Sequence, residues 1–147
     1  MTVEPRNAAS DKWRGIVQRM SDRAWVRTAI RELLAKDFVR EDRQGLIVLP
    51  PLDSESYIDA FDAYFEMGDG RPMFTFEEVV AIRGDRLTLC RIRLEYASGE
   101  RGEKFHILQF DRQDDLIERI VTFDVDDGDA AIIELDHLHD VIEAAST

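Results

Sequence analysis

Little in this chain serves the chemistry of thiols, nucleic acids or membranes. Cys90 is the only cysteine, which excludes an internal disulfide and leaves a thiolate metal site without companions. The 19 Lys and Arg residues against 31 Asp and Glu give a formal net charge of −12. A chain of that sign repels polyanions and lacks the clustered cations that bind phosphate, so neither a nucleic acid nor an anionic membrane is an expected partner. No apolar run approaches the roughly 18 residues of a membrane span, and Met1 to Asp11 has neither the basic nor the apolar region of a signal peptide. A cytoplasmic setting is the expectation. There is no internal repeat, Gly-x-Ser-x-Gly elbow, Gly-rich phosphate loop or dinucleotide fingerprint.

What is present is a chain of 147 residues, enough for one domain with a substantial core. Residues 1–10 read as a loose arm and 11–147 as the single domain. Trp13, Ile16, Val17 and Met20 recur at helical spacing, as do Trp25, Val26, Ala29, Ile30, Leu33 and Leu34 in a second segment that starts at Ser21 or Asp22. From Asp37 to Asp42 the pattern is extended. Asp53 or Ser54 caps a third helix through about Met67, with Tyr57, Ile58, Phe61, Tyr64 and Phe65 as its apolar stripe. Strands follow at Met73 to Arg83 and Arg86 to Tyr96, joined at the turn pair Gly84-Asp85, then at Glu103 to Asp111 and Leu116 to Val125. A last helix covers about Asp129 to Ala144. Helices first and then a meander of strands predict an α+β fold, with the helices on one face of a curved antiparallel sheet.

Two positions carry the clearest chemical signal. His106 sits inside the strand run Phe105-His106-Ile107-Leu108-Gln109-Phe110, and Glu41-Asp42 ends the run that starts at Asp37. An ionisable group among apolar residues loses hydration, so its pKa shifts and it becomes either a proton-transfer group or a structural oddity.

The segment Ala35-Lys36-Asp37-Phe38-Val39-Arg40-Glu41-Asp42 resembles the helix-to-strand passage ending in Val-Glu-Asp of the nuclear transport factor 2-like superfamily. Leu108-Gln109-Phe110-Asp111 followed by Leu116-Ile117 resembles its Phe-Arg-Phe-Asn and Gly-Lys-Val strand pair. Ile82 to Leu87 and Thr122 to Asp127 also resemble SnoaL-like segments attached to bacterial cyclases and regulators. The resemblance covers about Trp13 to Ala144. It implies N-terminal helices on the concave face of the sheet and a cone-shaped pocket. It also implies that Asp42 stands where ketosteroid isomerases keep a proton-abstracting aspartate, and His106 where they keep an acid that hydrogen-bonds the developing oxyanion. Such chemistry needs a dry, preorganised site and no cofactor. The chain departs from the family motif at Arg43, where proline is usual, and has no tyrosine among Trp13 to Met20 to complete an oxyanion hole.

Plainer readings stand beside these. An inward histidine bonded to a neighbour explains His106, and an ion pair with Arg40 or Arg43 explains Asp42. Glu78 joins the pocket only if its strand register holds, since a shift of one residue sends it to solvent. Trp25, Tyr57, Tyr64 and Phe110 are candidates to line the pocket, with core packing the alternative. Asp124-Val125-Asp126-Asp127-Gly128-Asp129 lacks calcium-loop spacing, and Asp136, His137, His139 and Asp140 cannot converge from one helix, so no metal is expected. Leu87, Leu89, Arg91 and Arg93, with Phe105, Ile107 and Gln109, form an outward set whose apolar members suggest a homodimer. The expected function is acid-base catalysis on an apolar small molecule bearing a carbonyl or hydroxyl, of the cyclase, isomerase, dehydratase or hydrolase kind. The alternative is a ligand-sensing or dimerisation module.

Overall fold

The computed structural model describes residues 3–19, 29–43, 50–67, 74–95, 99, 101–113 and 115–145. Helix α1 (Ala8–Arg19) begins before the expected Asp11 because Asn7 caps it. The Asn7 Oδ1 accepts from Ser10 N at 2.8 Å and Ser10 Oγ accepts from Asn7 N at 2.9 Å. This reciprocal cap satisfies amides that the first helical turn leaves open. Asn7 Nδ2 also donates to Gly84 O and Leu87 O, both at 2.9 Å, clipping the start of α1 to the β2–β3 hairpin loop. Part of the expected loose arm is thus helix and cap. Ala9, Trp13, Ile16 and Val17 form the buried stripe of α1.

Residues 29–33 are helical, and strand β1 (Leu34–Asp42) follows directly. Helix α2 (Ser54–Met67) is capped by Asp53, whose Oδ1 accepts from Ser56 N at 2.9 Å. Strands β2 (Phe74–Arg83), β3 (Leu87–Glu95), β4 (Arg101–Phe110) and β5 (Ile117–Asp124) complete one sheet in the order β1-β5-β4-β3-β2. The β2–β3 loop is one residue longer than the turn pair read from sequence. Arg83 pairs with Leu87, so Gly84, Asp85 and Arg86 make the turn, and Gly84 takes a φ of 55° that suits glycine.

The sheet is mixed, not wholly antiparallel, because β1 runs parallel to β5. Two register shifts interrupt β2, between Phe76 and Glu78 and between Val79 and Ala81. Each adds a residue on one strand, which bends the strand and increases its twist. They curve the sheet and also decide which β2 side chains look inward.

Helices cover both faces, where the sequence predicted one. On the concave face Trp13, Ile16 and Val17 from α1 and Tyr57 and Ile58 from α2 pack with Phe38, Cys90, Ile92, Leu108, Phe110 and Ile120. Helix α3 (Gly128–Ala145) crosses the convex face, burying Ala131, Leu135 and Leu138 against Leu87, Leu89, Ile107, Val121 and Phe123. Leu87, Leu89 and Ile107 are at most 1% exposed. The apolar outward set therefore has an intramolecular cover, and its burial supplies no argument for a dimer. Arg91 and Arg93, on the same parity, are paired instead with Glu78, Glu103 and Glu77 at 3.2 to 3.4 Å.

Candidate functional site

Strand register brings the two chemical residues together. Asp42 on β1 pairs with Thr122 on β5, Thr122 with His106 on β4, His106 with Cys90 on β3, and Cys90 with Val79 on β2. Directly paired residues project to the same side. The side is the concave one, since Cys90 and Val79 belong to the core beneath α1 and α2. Asp42 and His106 flank buried Thr122 with their backbones two strand spacings apart, roughly 10 Å.

His106 is half-buried as a residue, but its Nδ1 is buried and has no hydrogen-bond partner among the described residues. Burial, followed by the positive charges of Arg40 and Lys104, pushes the ring down to about 3 from its ordinary 6.5. The surroundings of the ring, rather than the average exposure of the side chain, set this shift. At neutral pH the imidazole is uncharged, with one donor and one acceptor nitrogen. It can hydrogen-bond a developing oxyanion but does not hold the extra proton of a general acid. The Trp13 ring lies 6.4 Å away, centroid to centroid, and its buried Nε1 also has no partner among the described residues. Two neighbouring aromatic residues thus leave polar atoms bare on the same face. Unpaired buried polar atoms cost about 1–3 kcal/mol each unless a water or ligand meets them.

Cys90 stands directly across from His106, a placement that invites a thiol–imidazole nucleophile. The electrostatics oppose it. Burial pushes the thiol up to about 12 against a favourable contact with Thr88, whose Oγ1 lies 3.3 Å from the sulfur. Both groups are neutral, and a reactive thiolate needs the reverse shifts.

Arg40 lies two residues before Asp42, on the same side of β1. Leu52 holds its backbone through two hydrogen bonds of 2.9 Å. Its Nη2 is 3.7 Å from Asp42 Oδ2 and 3.4 Å from Thr122 Oγ1. Its charge also reaches Tyr57, whose hydroxyl burial pushes upward in pKa while Arg40 opposes the shift.

The remaining sequence candidates separate. Tyr57 is buried on the concave side, its ring 5.1 Å from that of Phe38. Phe110 is 3% exposed and packs in the same core. Glu78 is exposed on the convex side, 3.2 Å from Arg91. The first β2 register shift breaks its alternation with Phe76 and removes it from the inward row. Trp25 and the side chain of Tyr64 lie outside the described residues. Arg40, Thr122 and Trp13 were not among the residues singled out for the site. Arg40 shares strand parity with Asp42, a signal open to sequence reading, whereas Thr122 joins the site through register alone.

A cleft of about 490 Å³ lies elsewhere, between the start of α1, the β2–β3 loop, the β4–β5 turn and the end of α3. Of the sequence candidates only Phe110 lines it. Its Lys12, Arg83 and Arg86 are matched by Asp115, Asp136 and Glu118 at 2.7 to 2.8 Å, so it is a salt-bridged junction of elements. Among the described residues no helix is long and apolar enough to cross a membrane.

No family model and no curated protein matches the chain. Solved structures do. PrhC from Penicillium brasilianum is 15% identical, with a TM-score of 0.60 over 79% of this chain and 77% of that one. A steroid delta-isomerase from Pseudomonas aeruginosa is 15% identical, with a TM-score of 0.55 over 84% and 82%. An NTF2-like protein of unknown function from Mesorhizobium loti is 18% identical, with a TM-score of 0.56 over 84% and 98%. At such identities architecture is what is shared, and the five-stranded curved sheet with its covering helices is the nuclear transport factor 2-like fold.

Proposed function

We propose that the concave face binds an apolar small molecule bearing a carbonyl or hydroxyl and catalyses a cofactor-free proton transfer on it. Asp42 accepts the proton, and neutral His106 donates a hydrogen bond to the oxygen that gains charge. The observation that carries this reading is the shared row of Asp42, Thr122 and His106. The similarity to a steroid delta-isomerase is in keeping with this reaction class.

Deuterium exchange tests the proposal without a known substrate. A panel of apolar ketones is incubated with the protein in heavy water, and label appearing beside the carbonyl is read by mass spectrometry. Wild-type protein accelerates exchange for at least one ketone, and Asp42→Asn lowers that rate by about 10²–10⁴-fold. Absence of wild-type exchange across the panel overturns catalysis. The Arg40–Asp42 contact of 3.7 Å supports a second reading, a ligand-sensing module in which Asp42 is structural. In that case Asp42→Asn lowers the melting temperature and leaves ligand affinity unchanged.

A further inference from the structure

We propose that Arg40 is an anion-recognition residue and that the ligand of the concave face carries a carboxylate. This rests on the reading of that face as the ligand site and adds a charge requirement to it. Arg40 is held inward on β1 by the Leu52 bridge and by pairing with Ile120, which belongs to the concave core. Among the described residues its guanidinium nevertheless has little to hold. Nη2 makes both of its polar side-chain contacts, at 3.4 and 3.7 Å, while Nη1 and Nε donate to nothing among the described residues. A charge-assisted pair normally closes to about 2.7–2.9 Å.

Arg43, just past the end of β1, shows what a structural arginine looks like. It reaches Glu41 at 2.7 Å and Glu134 at 3.0 Å. Arg40 is the more enclosed of the two, with a side chain 23% exposed against 44% for Arg43, yet it has the longer contacts. An enclosed planar fork with spare donors suits a carboxylate, which accepts two parallel N–H bonds. Thr122 and the bare Nδ1 of His106 lie on the same face, where they can meet the ligand's other oxygens. The chain's overall negative charge does not prevent this, because distant exposed charges are screened beyond about 8 Å at physiological ionic strength.

Matched probes test the inference: 2-naphthylacetic acid, 2-naphthylacetamide and similar acid–amide pairs, titrated calorimetrically at constant salt. The acids bind wild-type protein at least tenfold more tightly than their amides. Arg40→Gln removes that preference and leaves amide affinity within about twofold. Arg40→Lys keeps a positive charge beside Asp42, so it serves if the glutamine variant fails to fold; it loses the planar fork and reduces the preference at least threefold. Asp42→Asn takes away a competing carboxylate and tightens acid binding severalfold, which a purely structural Arg40–Asp42 pair would not do. Equal affinity of acid and amide for wild-type protein overturns the role of Arg40 while the apolar site stands. Failure of every pair to bind overturns both readings.

Discussion

The two faces of the sheet handle polar groups differently. On the convex face α3 seals Leu87, Leu89, Ile107, Val121 and Phe123, and the charged residues beyond it pair across strands. Glu41 bonds Arg119 and Arg43, and Arg43 reaches on to Glu134 of α3. Among the described residues four buried atoms there lack a hydrogen bond, Glu77 Oε1, Arg91 Nε, Arg93 Nε and Gln109 Oε1, but each of these side chains has another polar partner, an ion pair for the first three and Glu118 for Gln109. On the concave face Trp13 Nε1 and His106 Nδ1 have no partner among the described residues, and Arg40 stands 3.7 Å from Asp42. On the convex face every such side chain has a second polar partner, whereas the concave pair has none among the described residues, and departures of that kind from local consistency are expected at functional sites.

Mutation sharpens that contrast. Leu135 is fully buried under the convex face, so Leu135→Ala is expected to cost about 2–5 kcal/mol in denaturant unfolding. Probe affinity on the concave face should be unchanged in the surviving folded protein. Loss of affinity in step with stability would dissolve the distinction between the faces.

Acidification acts on the concave face. The unfolded chain protonates His106 near 6.5, whereas the folded protein does so only near 3. Between those values the unfolded state binds the additional proton. Its contribution to stability is therefore complete above about pH 6.5 and is lost as pH falls towards 3, with a limiting slope of about 1.4 kcal/mol per pH unit. His106→Gln should flatten the stability profile between pH 6.5 and 5, where carboxylates contribute least. An unchanged profile would place the ring in contact with bulk water.

The smallest effect belongs to the convex charges. Glu78 is 49% exposed and its partner Arg91 32%, and exposed pairs of this kind contribute about 0–1 kcal/mol. Glu78→Gln should shift unfolding by less than about 1 kcal/mol and leave ligand binding untouched. A larger cost would make the ladder part of the core.

How far this was legible in the sequence follows from the range of each signal. Periodicity located α1, α2 and α3, and alternation located the strands, because both report a local pattern of burial. The parallel pairing of β1 and the register shifts in β2 depend on partners distant in sequence, so the sequence leaves both faces open to Glu78 and only the register decides between them. The same distance hid the cover of Leu87 and Leu89, since nothing local says that α3 returns to them. Asp42 and His106 were visible as ionisable residues in extended runs, but their common row is a product of β5 lying between β1 and β4. In sequence Arg40 is only a neighbouring counter-ion for Asp42. Its long contacts and spare donors exist in three dimensions alone.

The most direct test observes the bare atoms themselves. In protein labelled with ¹⁵N, the Trp13 indole N–H and the His106 ring nitrogens are followed by NMR during titration with an acid or ketone probe that binds. Both residues should move together and saturate at the calorimetric affinity, with the His106 ring neutral throughout at pH 6. Saturable binding that leaves both signals in place would contradict the account, because the ligand would then be held away from the concave row.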